Sequence, residues 1–232
     1  MPSYRMRAAL GEPTVMNPTL RAASQTEVSL PARPRRRRAR EGLVALPPPR
    51  VRGGMPLYSA LAQRRSTREF SDRPLTPQVL SNLLWAAYGV NRESGERTAP
   101  YWRHVMVIDV YVAMAAGVWL FEPQGRTLIA HLPNDIRAAT GTQEFAGTAP
   151  LDLIYVAHGE RMSGLSLVER RLYASVDAAF IGQNVYLCCA AEGLGTVFRG
   201  AIDYRSLTRA LQLPREQFVT FAQTVGYPRE GT

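Results

Sequence analysis

The sequence predicts an α+β fold in which a mixed sheet is flanked by helices and one long helix runs through the centre of the domain. Residues 105–112 and 151–157 are rich in β-branched and apolar side chains and therefore predict strands. Residues 166–193 combine a helix start signal with a glycine stop, which predicts a helix of roughly 26 residues, or about 39 Å. Strands and helices do not alternate strictly, so a doubly wound dinucleotide-binding sheet is disfavoured.

Two helices are predicted before the first strand. Within residues 55–65 the apolar side chains fall on one helical face, which indicates a short helix. A second helix begins with Thr76 as the capping residue and Pro77 in the first position. Its apolar residues repeat at helical spacing until Gly89, which is expected to end it.

The middle of the chain is predicted to be β. Residues 117–121 and 126–131 flank a Glu-Pro-Gln-Gly turn and form a predicted hairpin. A short helix is predicted over residues 133–139. The strand predicted over residues 151–157 is apolar enough to lie in the centre of the sheet.

The last third of the chain begins with the long helix, whose start Ser166-Leu167-Val168-Glu169 is a capping-box pattern. After this helix, residues 196–202 predict a strand. Asp203 is expected to cap a helix that runs to Leu211. Residues 217–225 predict the final strand.

Residues 1–51 are predicted to form a disordered tail, and residues 52–232 the folded domain. The tail is rich in Pro and Arg and ends in three prolines that favour an extended chain. The formal net charge is +9, and residues 1–50 supply a local excess of seven through ten arginines and three acidic residues. Because the remaining residues are nearly neutral, no specific nucleic-acid binding is predicted.

Several classes of chemistry are excluded or disfavoured. The sequence contains no lysine, which excludes a Schiff-base lysine and a P-loop lysine. Cys188 and Cys189 are adjacent, and His131 and His158 lie at the ends of different predicted strands, so no metal site is predicted. No apolar run approaches the roughly 20 residues of a membrane span. We therefore expect a soluble, cytoplasmic protein without a membrane partner.

The run Arg64-Arg65-Ser66-Thr67-Arg68-Glu69-Phe70 holds the densest set of anion-binding side chains in the predicted domain. An arginine presents a bidentate fork to a phosphate, and a serine adds a hydroxyl donor. Two interpretations follow from these residues alone. The run forms a phosphate site, or it is a solvated helix end whose arginines complement the helix dipole.

Ordered segments across residues 43–229 together resemble the nitroreductase family, and particularly its SagB/ThcOx-like branch. The matching segments are LPPPRVRGGMPLYSALAQRRSTREFS, RTAP, IDVYV, TGTQEFAGTAPLDLIYVA, DAAFIGQNVYLCCAAEGLGTVFRG and QTVGYP. In that family FMN lies at a dimer interface and is bound by both subunits. The resemblance therefore implies FMN as the cofactor and a homodimer whose long helices pack together.

The resemblance also implies which residues form the cofactor site. Carried over by position, Arg64 pairs with the FMN phosphate and Ser66 donates to the phosphate or the ribityl chain, with Arg65 beside them. Arg68 approaches the pyrimidine side of the ring, and Arg229 matches a phosphate contact.

The segment Val197-Phe198-Arg199-Gly200 matches the strand whose backbone meets the flavin. Val197 and Arg199 are assigned to the site with it, and the Gly200 N–H is the candidate donor to N5. His104 stands where the family has a flavin-contacting asparagine. A flavin contact, a proton donor and a packing side chain all remain open for it.

The implied function is that of an FMN-dependent oxidoreductase that passes hydride from NAD(P)H to a small oxidising substrate, such as a nitroaromatic or a quinone, by a ping-pong mechanism. No side chain is assigned as catalytic, because the flavin carries the hydride chemistry. Two alternatives remain open. One is an azoline (thiazoline or oxazoline) dehydrogenase of peptide modification, and the other is a flavin-binding protein without reductase activity.

Overall fold

The computed structural model describes residues 42–229, and within them seven strands form one sheet in the order β1-β4-β3-β2-β5-β7-β6. All six pairs of neighbouring strands in this part of the chain are antiparallel, so the sheet is not mixed in strand direction. The predicted α+β class, with helices flanking a sheet and one long helix, is confirmed. The strands are β1 (Leu43–Ala45), β2 (Ile108–Met114), β3 (Gly117–Glu122), β4 (Thr127–Leu132), β5 (Leu151–His158), β6 (Gly195–Arg199) and β7 (Gln217–Gly226).

The helices lie on both sides of the sheet. One face packs against the two longest helices, and the other face carries the last helix, through Leu207 and Leu211. No helix within residues 42–229 has the length and apolar character needed to cross a membrane. The helices are α1 (Leu57–Gln63), α2 (Pro77–Tyr88), α3 (Glu144–Thr148), α4 (Leu167–Glu192) and α5 (Tyr204–Ala210).

Strand β5 is the centre of the core, as its composition predicts. All eight of its residues are buried, because alternate side chains enter apolar clusters on opposite faces of the sheet. Leu153 and Tyr155 face the cluster beneath α2 and α4, whereas Ile154 and Val156 belong to the cluster with α5. Because helices cover both faces of the sheet at β5, its side chains do not alternate between apolar and polar.

Helix α4 has the predicted length of 26 residues and the predicted end signals. Ser166 and Glu169 form a reciprocal capping box, with the Glu169 N–H donating to the Ser166 hydroxyl at 3.3 Å and the Ser166 N–H donating to the Glu169 carboxylate at 2.8 Å. The helix ends at Gly193, whose φ of 68° lies in the left-handed region that glycine adopts without strain. Local sequence therefore determines both ends of this helix.

Other elements differ from the predicted ones for local reasons. The hairpin of β3 and β4 is confirmed. Strand β2 begins three residues later than predicted, because the Val105 N–H bonds to the Trp102 carbonyl and closes a 3-10 turn. The predicted helix over residues 133–139 is reduced to the 3-10 turn Arg137–Ala139. The short helix α3 was not among the predicted elements.

Strand β1 lies inside the range predicted to be a disordered tail. Leu43, Val44 and Ala45 pair with β4, and Leu46 is buried in the core. The sheet therefore begins before residue 52. These three residues form a strand because they pair with β4, and no local sequence pattern indicates that pairing. Residues 1–41 of that predicted tail fall outside the described residues.

A buried histidine, His158, lies at the end of β5, and its contacts are expected to make the stability of the fold depend on pH. His158 bonds through Nε2 to Asp109 at 2.7 Å and through Nδ1 to Glu160 at 2.9 Å, and Arg161 and Gln217 also face it. Burial disfavours the charged ring, but the bonds to Asp109 and Glu160 outweigh burial and raise the pKa of His158 above its ordinary value.

The protonated ring of His158 is therefore expected to stabilise the fold. This contribution is fully present below the pKa that histidine has in the unfolded chain, and it is lost as the pH rises through the raised pKa of the folded state. We expect the difference in unfolding free energy between wild type and His158→Gln to shrink from about pH 5 to about pH 9. Denaturant titrations at several pH values measure it, and a difference that does not change with pH would contradict the assignment.

Candidate functional site

The arginine-rich loop after α1 lies where β6 begins and β7 ends. The Thr67 N–H donates to the Thr196 carbonyl at 2.9 Å, which ties the loop to β6. The Arg229 N–H donates to the Glu69 carbonyl at 3.1 Å, and Phe70 forms a bridge with Pro228. The fold therefore brings the predicted residues of 64–68 and Arg229 to the same edge of the sheet.

A cavity of about 470 Å³ opens beside this loop, between α1, the end of α4 and β6. Arg64 and Arg65 line it together with Thr67, Tyr186 and Thr196. The cavity lies at the C-terminal ends of α1 and α4, where the helix dipoles disfavour an anion. Affinity for an anion must therefore come from the arginine side chains rather than from helix amides.

Tyr186 of α4 connects the separate parts of the site. Its hydroxyl lies 2.8 Å from the Ser66 hydroxyl and accepts the Phe198 N–H at 3.0 Å. The Arg64 guanidinium lies over the Tyr186 ring, 5.3 Å from the centroid. This residue was missed by sequence reasoning. The sequence feature that could have indicated its role is that Tyr186 is the one aromatic residue with a hydroxyl among the otherwise apolar and small residues 185–191 of a predicted helix.

The predicted residues of β6 have different surroundings. Val197 is buried against Phe70 and Ala149, whereas Gly200 is exposed just beyond the end of the strand. A Cβ added at Gly200 would meet the Phe221 ring at 3.5 Å, which is ordinary van der Waals contact. The protein itself therefore leaves room for a side chain there.

The Arg199 side chain is directed into the core. Its guanidinium bonds to Asp152 at 2.7 Å, to the Thr224 hydroxyl at 3.0 Å and to the Thr140 carbonyl at 2.8 Å. Arg199 is 3% exposed and Asp152 is fully buried. A contact between Arg199 and a bound cofactor is therefore limited to the backbone, and the side chain has a structural role.

His104 lies at a different part of α4. Arg103 and His104 both have positive φ, 45° and 59°, which is a strained conformation for residues with side chains. The turn is attached to α4, because the Trp102 N–H donates to both carboxylate oxygens of Asp177 at 3.0 and 3.1 Å. Burial raises the pKa of Asp177 to about 6, and the Trp102 N–H partly opposes this.

Within a single chain, the turn at residues 101–104 does not line the Arg64 cavity. The turn is anchored at Asp177, and the cavity is anchored at Tyr186, nine residues and about 13.5 Å further along the same helix. The ring of His104 packs edge-on to Tyr101, with centroids 6.2 Å apart. A ligand that contacts both His104 and the arginine loop of one chain would have to span this separation.

Metal ligation has no support in the described part of the chain. Residues 42–229 contain no group of three or more His, Cys, Asp or Glu side chains placed to hold a metal ion. Cys188 and Cys189 are not disulfide-bonded, and burial raises the pKa of the Cys188 thiol to about 12, so it is unreactive at neutral pH.

Comparisons with known proteins agree with one another. The model of the nitroreductase family matches residues 61–227. A protein of Methanocaldococcus jannaschii that is named as a nitroreductase is 31% identical over 167 residues, which cover 68% of this chain and 84% of that protein.

Solved structures share the fold. A Ralstonia eutropha JMP134 protein described as a nitroreductase superposes with a TM-score of 0.78 and 41% identity, covering 82% of this chain and 91% of its own. The NADPH:FMN oxidoreductase of Vibrio harveyi, solved with NAD+, has a TM-score of 0.56 at 19% identity, covering 75% of this chain and 69% of its own. This second likeness shows the shared fold only.

Proposed function

Because this chain belongs to the nitroreductase family and is therefore an oxidoreductase, we propose that it binds FMN and transfers hydride from NAD(P)H to a small oxidising substrate. The observation that carries the proposal is the cavity lined by Arg64, Arg65 and Tyr186, whose hydroxyl lies 2.8 Å from the Ser66 hydroxyl. Two guanidinium groups beside a hydroxyl pair suit a phosphate ester, and the cavity of about 470 Å³ has the size of a small-molecule site.

The residues around the cavity have distinct roles in this proposal. Arg64 and Arg65 neutralise the FMN phosphate, and the Arg229 side chain approaches it from the end of β7. Tyr186 positions Ser66 and, through the Phe198 N–H, the strand that leads to Gly200. Arg68 and the Gly200 N–H then face the flavin ring. Because Gly200 is exposed and lacks a Cβ, a flat ring is able to approach its backbone closely.

When bound, FMN supplies the hydride chemistry. The protein's residues bind and orient the reactants, which enter the same pocket one after the other in a ping-pong sequence. His104 and the aromatic side chains of Tyr101 and Trp102 would restrict that pocket. This arrangement needs no catalytic triad or paired carboxylates. A cytoplasmic location, where NAD(P)H is available, is part of the proposal.

A homodimer is also part of the proposal. Four apolar side chains at four-residue spacing are exposed on one side of α4, which leaves a long apolar stripe without a packing partner within residues 42–229. Their exposed fractions are 76% for Val168, 56% for Leu172, 43% for Val176 and 46% for Phe180. Two such helices packed together would bury both stripes, and they would bring the partner's His104 turn toward the Arg64 cavity.

The proposed activity is tested by adding NADH or NADPH anaerobically to the FMN-loaded protein and following the flavin absorbance. We expect rapid bleaching, with recovery on addition of a quinone or a nitroaromatic, and parallel lines in double-reciprocal plots of the steady-state rates. FMN that stays oxidised with both nicotinamides would contradict the reductase. Reduction by an azoline-containing peptide instead would favour the dehydrogenase, and reduction by neither would favour a flavin-binding protein without reductase activity.

A further inference from the structure

A second, smaller cavity lies beneath the segment that leads into the His104 turn. Its volume is about 250 Å³, and it lies between the end of α2, strands β2 and β3, and the 3-10 turn Gly159–Met162. Apolar side chains of the two strands form one wall, and the charged and polar side chains come from Tyr88, Arg97, Asp109, Glu122 and Arg161.

Three hydrogen-bond donors at this cavity have no partner among the described residues. They are Nε and Nη1 of Arg97 and the hydroxyl of Tyr88, and all three atoms are buried. The Arg97 guanidinium bonds only through Nη2, to the Met106 sulfur at 3.3 Å, and lies 5.6 Å from the centre of the Tyr88 ring. A thioether and a ring face are weak partners for a guanidinium whose Nε and Nη1 are buried.

The carboxylates that line the cavity are already occupied by other groups. Asp109 is bound by His158 at 2.7 Å and lies 3.6 Å from Arg161. The oxygens of Glu122 accept the backbone N–H groups of Gln124 at 2.8 Å and Gly125 at 2.6 Å, within the turn that joins β3 to β4. Arg97 therefore has no ion-pair partner within residues 42–229, and its two buried N–H groups lack acceptors.

From these contacts we propose that this cavity binds a small oxyanion of single charge, such as a carboxylate or nitrate, between Arg97 and Tyr88. Such an ion supplies the acceptors that the unpartnered N–H and O–H groups need, and its charge offsets that of Arg97. Burial raises the pKa of Tyr88, so its hydroxyl stays protonated and available as a donor. The volume admits an ion of a few heavy atoms with water, but no nucleotide.

The bound ion would also stabilise the neighbouring loop. Thr98 is fixed to the end of α2 by bonds to the Gly89 carbonyl at 2.9 Å and the Trp85 carbonyl at 3.1 Å. Tyr101 follows, and its ring packs edge-on to Tyr88 at 6.4 Å. An ion held by Arg97 and Tyr88 would therefore connect α2 to the segment that carries the His104 turn. The proposal does not depend on FMN binding.

Thermal unfolding of the full chain tests the site, with formate, acetate or nitrate replacing chloride at constant ionic strength. We expect the melting temperature to rise to a plateau with one or more of these ions. In Arg97→Gln the concentration for half of the rise should increase at least about tenfold, which corresponds to about 1.4 kcal/mol. Arg205→Gln removes an exposed arginine of α5 and should behave as wild type.

Tyr88→Phe removes one donor while keeping the ring, and it serves if Arg97→Gln does not fold. It should weaken the anion effect less than Arg97→Gln does. A crystal grown in nitrate should show the ion against Arg97. The proposal is overturned if wild type shows no saturable rise, if neither Arg97→Gln nor Tyr88→Phe changes it, or if that crystal shows only water in the cavity.

Discussion

Replacing Arg199 by methionine is expected to lower the free energy of unfolding by about 3–5 kcal/mol, the usual effect of removing one partner of a buried ion pair. The change leaves the Asp152 carboxylate without a counter-charge in a fully buried position. It also removes the guanidinium bonds to Thr140 and Thr224, so two buried polar residues lose a partner.

The expected loss of stability is large because Asp152 is ionised at neutral pH. Burial raises the pKa of Asp152 to about 6, and Arg199 and the Thr224 hydroxyl oppose the rise. Above that pH the carboxylate is ionised, so Arg199 offsets a full negative charge in the core. Part of the loss is recovered in the variant if Asp152 takes up a proton.

Denaturant unfolding of wild type, Arg199→Met and the double variant Asp152→Leu/Arg199→Met measures the effect at neutral pH. The double variant should recover most of the lost stability, because no unpaired charge remains in the core. A loss of less than about 1 kcal/mol in Arg199→Met would mean that the pair is not an important part of the core. A loss of FMN affinity at unchanged stability would instead restore a direct cofactor role for the side chain.

Introducing a charge into the stripe on α4 is expected to abolish the proposed dimer. In Phe180→Glu a carboxylate replaces a ring that is 46% exposed in the single chain and buried in the proposed homodimer. Burying an unpaired charge costs several kcal/mol, so the dimer should dissociate at least about a hundredfold more readily. Because FMN is proposed to contact both subunits, its affinity should fall together with dimerisation.

Sedimentation measures the oligomeric state of Phe180→Glu, and flavin absorbance after dialysis measures the retained FMN. Ile129→Glu places the same charge at an exposed apolar residue of β4, away from the stripe, and should stay dimeric and yellow. Wild type that sediments as a monomer would rule out the dimer. A dimeric Phe180→Glu would show that another surface forms the interface.

Elements with local signals were predictable from the sequence. The capping residues Thr76 and Ser166 start α2 and α4 as expected, and Gly193 ends α4. Strand β1 was not predictable, because its three residues become a strand only by pairing with β4. The sequence before β1 is also rich in Pro and Arg, which favours the prediction of a disordered tail.

The site was predictable in part for the same reason. The anion-binding character of Arg64 and Ser66 can be inferred from neighbouring residues in the chain. The role of Tyr186 depends on its contacts with Ser66 and Phe198, which are 120 and 12 residues away. The structural role of Arg199 likewise depends on Asp152, 47 residues earlier in the sequence. Contacts over such separations follow only from the fold.

The most direct test of the central claim is an FMN titration of wild type, Arg64→Ala and Arg205→Ala, followed by flavin fluorescence. Arg64 lines the proposed phosphate cavity, whereas Arg205 is an exposed arginine on α5. A charge-assisted hydrogen bond contributes about 1.5–3 kcal/mol, so Arg64→Ala should weaken FMN binding by at least about tenfold. The account predicts tight binding by wild type and Arg205→Ala and this loss in Arg64→Ala. Wild type that does not bind FMN, or equal affinity in all three proteins, would contradict it.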